Sequence, residues 1–252
     1  MSQREPTVLT IAGLDPSGGA GIIADVKTFI AFKCSPVAAL TSITFQNTKQ
    51  VFGVEHQSAD TLRAQLEPVL DQFEITAVKT GMLPTAELIL AVARLCSDGL
   101  LPAPVVDPVL AATAGQLLIE PDAVPVLIEK LFPFARVVTP NIAEAQELTR
   151  AKITNEAEMK IAAEQLKFMG ARAVLLKGGH LANSSDAIDI LLDRRGLFHE
   201  FRAPFLEGAQ LHGSGCMLSA GITAELAHGR NLVEAVRLAK AFVTEKIRHA
   251  AR

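Results

Sequence analysis

What most constrains this chain is a repeated alternation, in which short apolar stretches of strand length are each followed by a segment with helical spacing. Residues 7–13, 37–45, 77–80, 105–106, 137–138 and 173–176 read as strands. Residues 22–32, 61–72, 86–96, 121–132, a short stretch carrying Glu144, and 157–169 read as the helices between them. Strands joined through helices pair in parallel, and those helices cover both faces of the sheet. Residues 53–56 add a short strand, and 187–192 with 197–203 read as a hairpin around Arg194-Arg195-Gly196. Two helices, 216–228 and 232–249, complete the pattern. The expected fold is α/β: a single domain over 1–252, an αβα sandwich with a central, mainly parallel sheet flanked by helices. In such sheets ligands bind beyond the carboxyl ends of the strands.

Composition narrows the function. A chain of 252 residues, 49% hydrophobic, can bury a sizeable core. A net charge of −3 with mixed signs offers no basic face for nucleic acid. Three cysteines, Cys34, Cys96 and Cys216, are odd in number and lack the spacing of a metal knuckle, which points to a reducing compartment and a cytoplasmic location. The apolar run at 8–12 is too brief for a signal peptide, and no segment approaches a membrane span.

Polar residues collect at the expected strand ends: Asp15, Gln46, Asp107, Asn141 with Glu144, and Lys177. Asp107 and Glu144 are hard oxygen ligands of the kind that hold Mg²⁺ beside phosphates. Lys177, on a glycine turn after a strand, suits the charge of a nucleotide phosphate. Behind His212-Gly213-Ser214-Gly215-Cys216 a helix begins, and Gly213 and Gly215 leave its first N–H groups open to an anion. The Cys216 thiol at that helix end is expected to have a depressed pKa. A second glycine loop, 13–21, follows the first strand but matches neither the P-loop nor the dinucleotide fingerprint. Asp25, one helical turn beyond it, could accept a ligand hydrogen bond. The six histidines show no zinc spacing, and there is no Ser-His-Asp pattern to follow. Each feature alone also fits an ordinary turn, cap or solvated carboxylate. Together at one sheet edge they point to phosphoryl transfer to a hydroxyl.

The segments Gly-Leu-Asp-Pro-Ser-Gly-Gly-Ala-Gly (13–21), Gln46-Asn47-Thr48, Lys79-Thr80-Gly81-Met82-Leu83, Asp107-Pro108-Val109, Thr139-Pro140-Asn141 with Glu144, Lys177-Gly178-Gly179-His180 and His212-Gly213-Ser214-Gly215-Cys216 resemble, in order and across nearly the whole chain, the hydroxymethylpyrimidine/phosphomethylpyrimidine kinases. These form the thiamin-pathway branch of the ribokinase-like superfamily. The resemblance implies a pyrimidine site near Gly13, Asp25, Gln46, Met82 and Val109. It implies ATP phosphates near Lys177, with Thr139 and Asn141 also toward the nucleotide, and Mg²⁺ in the region of Asp107, Asn141 and Glu144. It further implies an anion hole of Gly213, Ser214 and Gly215, with Cys216 as the base. Homodimers are common in the family. The chain departs from the pattern at Ile23, usually glutamine, at Ser214, often threonine, and at Thr113-Ala114-Gly115, where Lys-Ser-Gly is more usual. It also ends at Arg252 without the glycine- and histidine-containing tail of many members. Pyridoxal or pyridoxine is the alternative substrate, because some relatives accept the B6 ring, and a sensor without turnover is the alternative of another class.

Overall fold

A computed structural model describes residues 5–47, 50–112, 115–179, 181, 186–205 and 211–250. Among them nine strands form one sheet: β1 Thr7–Leu14, β2 Ser35–Gln46, β3 Val51–His56, β4 Ile75–Thr80, β5 Val105–Val106, β6 Val137–Val138, β7 Val174–Lys177, β8 Asp186–Leu192 and β9 Phe198–Pro204. The spatial order is β3-β2-β1-β4-β5-β6-β7-β8-β9. The six strands from β2 to β7 pair in parallel. β3 at one end, and β8 and β9 at the other, are antiparallel. The mainly parallel sandwich expected from the sequence is therefore the fold.

Eight α-helices accompany the described strands: α1 Gly21–Ala31, α2 Ala59–Gln72, α3 Ala86–Ser97, α4 Ala123–Val126, α5 Ile142–Thr149, α6 Glu156–Phe168, α7 Ser214–Ala227 and α8 Leu232–Ala250. The largest apolar cluster joins one sheet face to α2, α3, α5 and α6, with Leu9, Val78, Val138 and Leu176 coming from the strands. Two smaller clusters bind α1, α7 and α8 to the other face, through Val8, Ala77, Val105, Val137 and Leu175. The strand period of two then decides where the charges go. Lys79 follows Ala77 and Lys177 follows Leu175, so both lysines lie on the α1/α7/α8 face.

Residues 121–132 differ from expectation. Instead of a regular helix they form the single turn α4, a π-helical turn Leu127–Leu131 and a 3₁₀ turn Phe132–Phe134. Pro133 has no N–H to donate one turn back, so the α ladder cannot run on. The wider turn still buries Leu127, Leu131 and Phe132. No described helix is long and apolar enough to cross a membrane.

The strand order reverses at β1, whose neighbours β2 and β4 follow it on opposite sides. A crevice opens at the carboxyl ends of strands at such a switch point. The ends of β1 and β4, together with the start of α7, meet there.

Candidate active site

Two glycine loops meet at the crevice. The first links β1 to α1 and is held by Asp15, whose Oδ1 accepts from the Ser17 N–H at 2.8 Å and whose Oδ2 accepts from the Ala20 N–H at 2.8 Å. His212 reaches the same Oδ2 from the second loop, at 3.0 Å through Nε2. Burial works against ionising Asp15, but the hydrogen bonds from Ser17, Ala20 and His212 prevail and hold its carboxyl below the usual range. The loops touch backbone to backbone. A Cβ on Gly213, whose φ is +77°, would lie 1.9 Å from the Gly19 carbonyl oxygen, so only glycine fits.

α7 starts at this contact without a side-chain cap. Ser214 N–H donates to Leu211 and Met217 N–H to Gly213, which leaves the Gly215 and Cys216 N–H groups without a backbone acceptor among the described residues. These donors, the partial positive charge of the helix end and the absence of side chains at 213 and 215 suit an anion. Lys177 brings a full charge there, since a Cβ on Gly215 would lie 3.1 Å from its Nζ.

The expected depressed pKa of Cys216 is not what the structure shows. Burial pushes the thiol up to about 11, and the carboxylates of Asp107 and Asp25 add to the rise. Lys79 and a hydrogen bond from the Gly21 N–H only partly offset it. A helix end lowers a thiol pKa by roughly its local potential, whereas loss of water around the sulfur acts on the whole charge. Here desolvation wins.

Asp107, just beyond β5, organises the cavity wall beside Lys177. Its Oδ1 accepts from Lys177 Nζ at 2.8 Å and Thr139 Oγ1 at 3.1 Å, and its Oδ2 accepts from Ser219 Oγ at 3.1 Å. Glu144 sits in a capping box, taking the Asn141 N–H at 2.7 Å while Asn141 Oδ1 accepts the Glu144 N–H at 2.9 Å. Burial raises the Glu144 carboxyl to about 7, with Lys177 opposing the rise and Asp107 adding to it.

Most of the expected site residues line one cavity of about 770 Å³: Gln46, Val109, Asp107, Asn141, Glu144 and Lys177, together with Gly213, Ser214, Gly215 and Cys216. Gly13, Asp25, Met82 and Thr139 are buried outside that lining. A Cβ on Gly13 would meet Met82 Sδ at 3.1 Å. Thr139 supports Asp107 from behind. Asp25 is turned inward, its Oδ2 accepting from Thr10 Oγ1 at 2.6 Å and from Lys79 Nζ at 2.8 Å, while its Oδ1 has no partner among the described residues. Thr48, Thr113, Ala114 and His180 lie outside the described residues.

Sequence reasoning missed two further groups. Lys240 of α8 pairs with Asp189 of β8 at 2.7 Å, and Asp189 Oδ1 accepts from the Gly178 N–H at 3.1 Å, so this pair braces the turn after Lys177. Ser219 ties Asp107 to the first turn of α7, also bonding the carbonyls of Gly215 and Cys216. Their signal was present only as polar residues on apolar helices.

Residues 15–252 match the phosphomethylpyrimidine kinase family. A hydroxymethylpyrimidine/phosphomethylpyrimidine kinase of Rhizobium meliloti is 47% identical over 248 residues, covering 97% of this chain and 91% of that one. This chain belongs to the phosphomethylpyrimidine kinase family. The thiamine biosynthesis bifunctional protein ThiED of Geobacter sulfurreducens is 44% identical over 97% of this chain, and this chain spans about half of that longer protein, 49%. Among solved structures, phosphomethylpyrimidine kinase from Clostridium difficile superposes with a TM-score of 0.84 at 40% identity, covering 96% of this chain and all of the other. Pyridoxal kinase from Staphylococcus aureus in complex with AMP-PCP and pyridoxal gives a TM-score of 0.87 at 35% identity, covering 96% of this chain and 88% of that one.

Proposed function

We propose that this member of the family uses ATP and Mg²⁺ to phosphorylate 4-amino-5-hydroxymethyl-2-methylpyrimidine, and then its monophosphate to the diphosphate, in thiamin biosynthesis. The observation that carries this reading is the arrangement of one cavity. An uncapped helix start and Lys177 supply positive potential on one side. Gln46 and Val109 offer a polar and an apolar contact for a small ring on another. Leu218, Val243 and Ile247 add apolar lining, beside the polar Asp189, Lys240 and Thr244, and suit the base of a nucleotide.

The donor set fits a magnesium ion shared with phosphates. Asp107 and Glu144 are hard oxygen donors on the wall, yet both are already hydrogen-bonded. Among the described residues no group of three or more His, Cys, Asp or Glu forms a protein-only cage. Mg²⁺ usually keeps waters and takes one or two carboxylates beside substrate phosphates. When bound it would neutralise charge on the phosphate oxygens. The chain's own residues do the rest. Gly213, Ser214, Gly215 and Lys177 receive the transferring group, and Asp107 and Asn141 hold the wall around it. The thiolate form of Cys216, the minor form at neutral pH because burial raises its pKa, takes the hydroxyl proton as the O–P bond forms and is left as the neutral thiol. Gln46 orients the ring edge. Gly13, Met82 and Asp25 support that subsite from beneath, and Thr139 keeps Asp107 in place.

The three cysteines are free thiols, which supports a cytoplasmic setting. Phe45 and Phe52 stand exposed on β2 and the edge strand β3, apolar surface that supports a homodimer.

The test is a coupled ADP-release assay with the pyrimidine alcohol, its monophosphate and pyridoxal side by side. ADP release with both pyrimidines, and a lower kcat/KM for pyridoxal, is the expected result. A higher kcat/KM for pyridoxal would transfer the assignment to a pyridoxal kinase.

A further inference from the structure

We infer that His212 and Asp15 form a clamp between the two glycine loops, and that both are positioning residues for the phosphoryl transfer. The inference rests on the proposed function only in taking Cys216 and the start of α7 as the place of reaction.

The geometry begins with Asp15, buried to within 2% of full closure. Its two oxygens take donors from three residues. Those from Ser17 and Ala20 belong to its own loop and would hold the 15–20 turn unaided. The third, His212, adds nothing to that turn and fixes only where the second loop lies against it. An ionised carboxylate has no hydrogen to give, so Nε2–H is the donor and the imidazole is defined in both orientation and tautomer. The ring is packed as well as bonded: a Cβ on Gly19 would come within 2.5 Å of its Cδ2. With Gly213 against the Gly19 carbonyl on the other side, the two loops share a short, interlocked contact.

That contact sets distances that matter to the chemistry. Ala20, whose N–H is fixed by Asp15, lines the same cavity as Cys216, and the next residue, Gly21, begins α1. His212 is followed directly by Gly213, Ser214 and Gly215. One loop thus carries the wall near the thiol and the other carries the phosphate donors. The clamp fixes their separation, and with it the gap between acceptor hydroxyl and transferring phosphoryl group. Misplacement by about 1 Å costs on the order of 10²-fold in rate, because the reactants leave a near-attack geometry.

The experiment compares wild type, His212→Leu, His212→Gln and Asp15→Asn by ADP release with the pyrimidine alcohol. In parallel, alkylation by iodoacetamide is followed peptide by peptide at Cys34, Cys96 and Cys216. His212→Leu and Asp15→Asn are expected to lower kcat by roughly 10–100-fold with little change in either KM. His212→Gln should recover most of the loss, since its amide N–H can take the place of Nε2–H. Alkylation should quicken at Cys216 alone, because only that thiol lines the cavity where the two loops meet. A wild-type kcat in His212→Leu, a loss carried by KM alone, or a parallel rise at all three cysteines overturns the clamp. If wild type releases no ADP with the pyrimidine alcohol, the functional reading fails instead. The alkylation contrast then decides the clamp by itself.

Discussion

Two lysine–aspartate pairs lie on the same face of the sheet, each with charged atoms 2.8 Å apart, and they differ in depth. Lys79 and Asp25 have side-chain exposures of 0% and 0%, whereas Lys177 and Asp107 have 11% and 2% and line the cavity. The sealed pair lies outside the cavity lining, so its charges act through the fold, the potential around Cys216 and the support they give the ring subsite from behind. Burial alone would lower the pKa of Lys79, but Asp25 beside it holds the ammonium above its usual value. The cavity pair shares its carboxylate with Thr139 and Ser219, so Lys177 can turn toward a phosphate without stranding Asp107. The same two residue types are thus sealed in one place and open to the cavity in the other, and what separates them is access.

Removing the cation from each pair should break the comparison in opposite ways. Lys177→Met should lower kcat by roughly 10³-fold or more, the range for a cation that stabilises phosphoryl transfer. Its melting temperature should stay near wild type, because Asp107 keeps two hydroxyl donors. Steady-state kinetics beside a thermal melt shows both. A variant that turned over normally would remove Lys177 from the phosphate site.

Lys79→Met should act on the fold, costing about 3–5 kcal/mol in a denaturant titration, since Asp25 is left buried without its counterion. The double variant Lys79→Met/Asp25→Leu should recover much of that loss. If Lys79→Met melted like wild type, the pair would not be the closed element that its burial implies.

A smaller effect sharpens the contrast through pH. The Glu144 carboxyl titrates at about 7 in the fold against a usual 4.5. Between these values the folded state binds the extra proton, so its contribution to stability falls as pH rises through about 4.5 to 7. Against wild type without ligands, Glu144→Gln should remove a decline on the order of 1–3 kcal/mol across that window. It should also raise the Mg²⁺ concentration needed for turnover. Equal pH–stability curves would place Glu144 in a normal carboxylate environment.

The layers and the crevice were legible because strand and helix periods are local, and because Asp107, Asn141, Glu144 and Lys177 end strands or begin helices. What was hidden depends on partners far away in the chain. Asp25 reads as a carboxylate beside a glycine loop. Its inward turn follows from a lysine 54 positions later that the strand period sends to the same face. The shift at Cys216 was misjudged because the helix end is visible in the sequence, while the loss of water around the sulfur is not. His212 reads only as the start of a glycine loop, since nothing local shows that it meets a carboxylate 197 residues earlier. The irregular turns after α4 follow from Pro133, which lies one residue beyond the apolar spacing that reads as a helix over 121–132.

Turnover by Cys216→Ala tests the phosphoryl-transfer reading most directly. Calorimetry should show the variant still binding ATP and the pyrimidine alcohol. Its kcat should fall by roughly 10²–10⁴-fold, the range for a positioned general base. Cys216→Asp should retain more, because a carboxylate can take the same proton. A wild-type kcat in Cys216→Ala would contradict the account, making the thiol a packing group and leaving the helix end and Lys177 to carry the reaction.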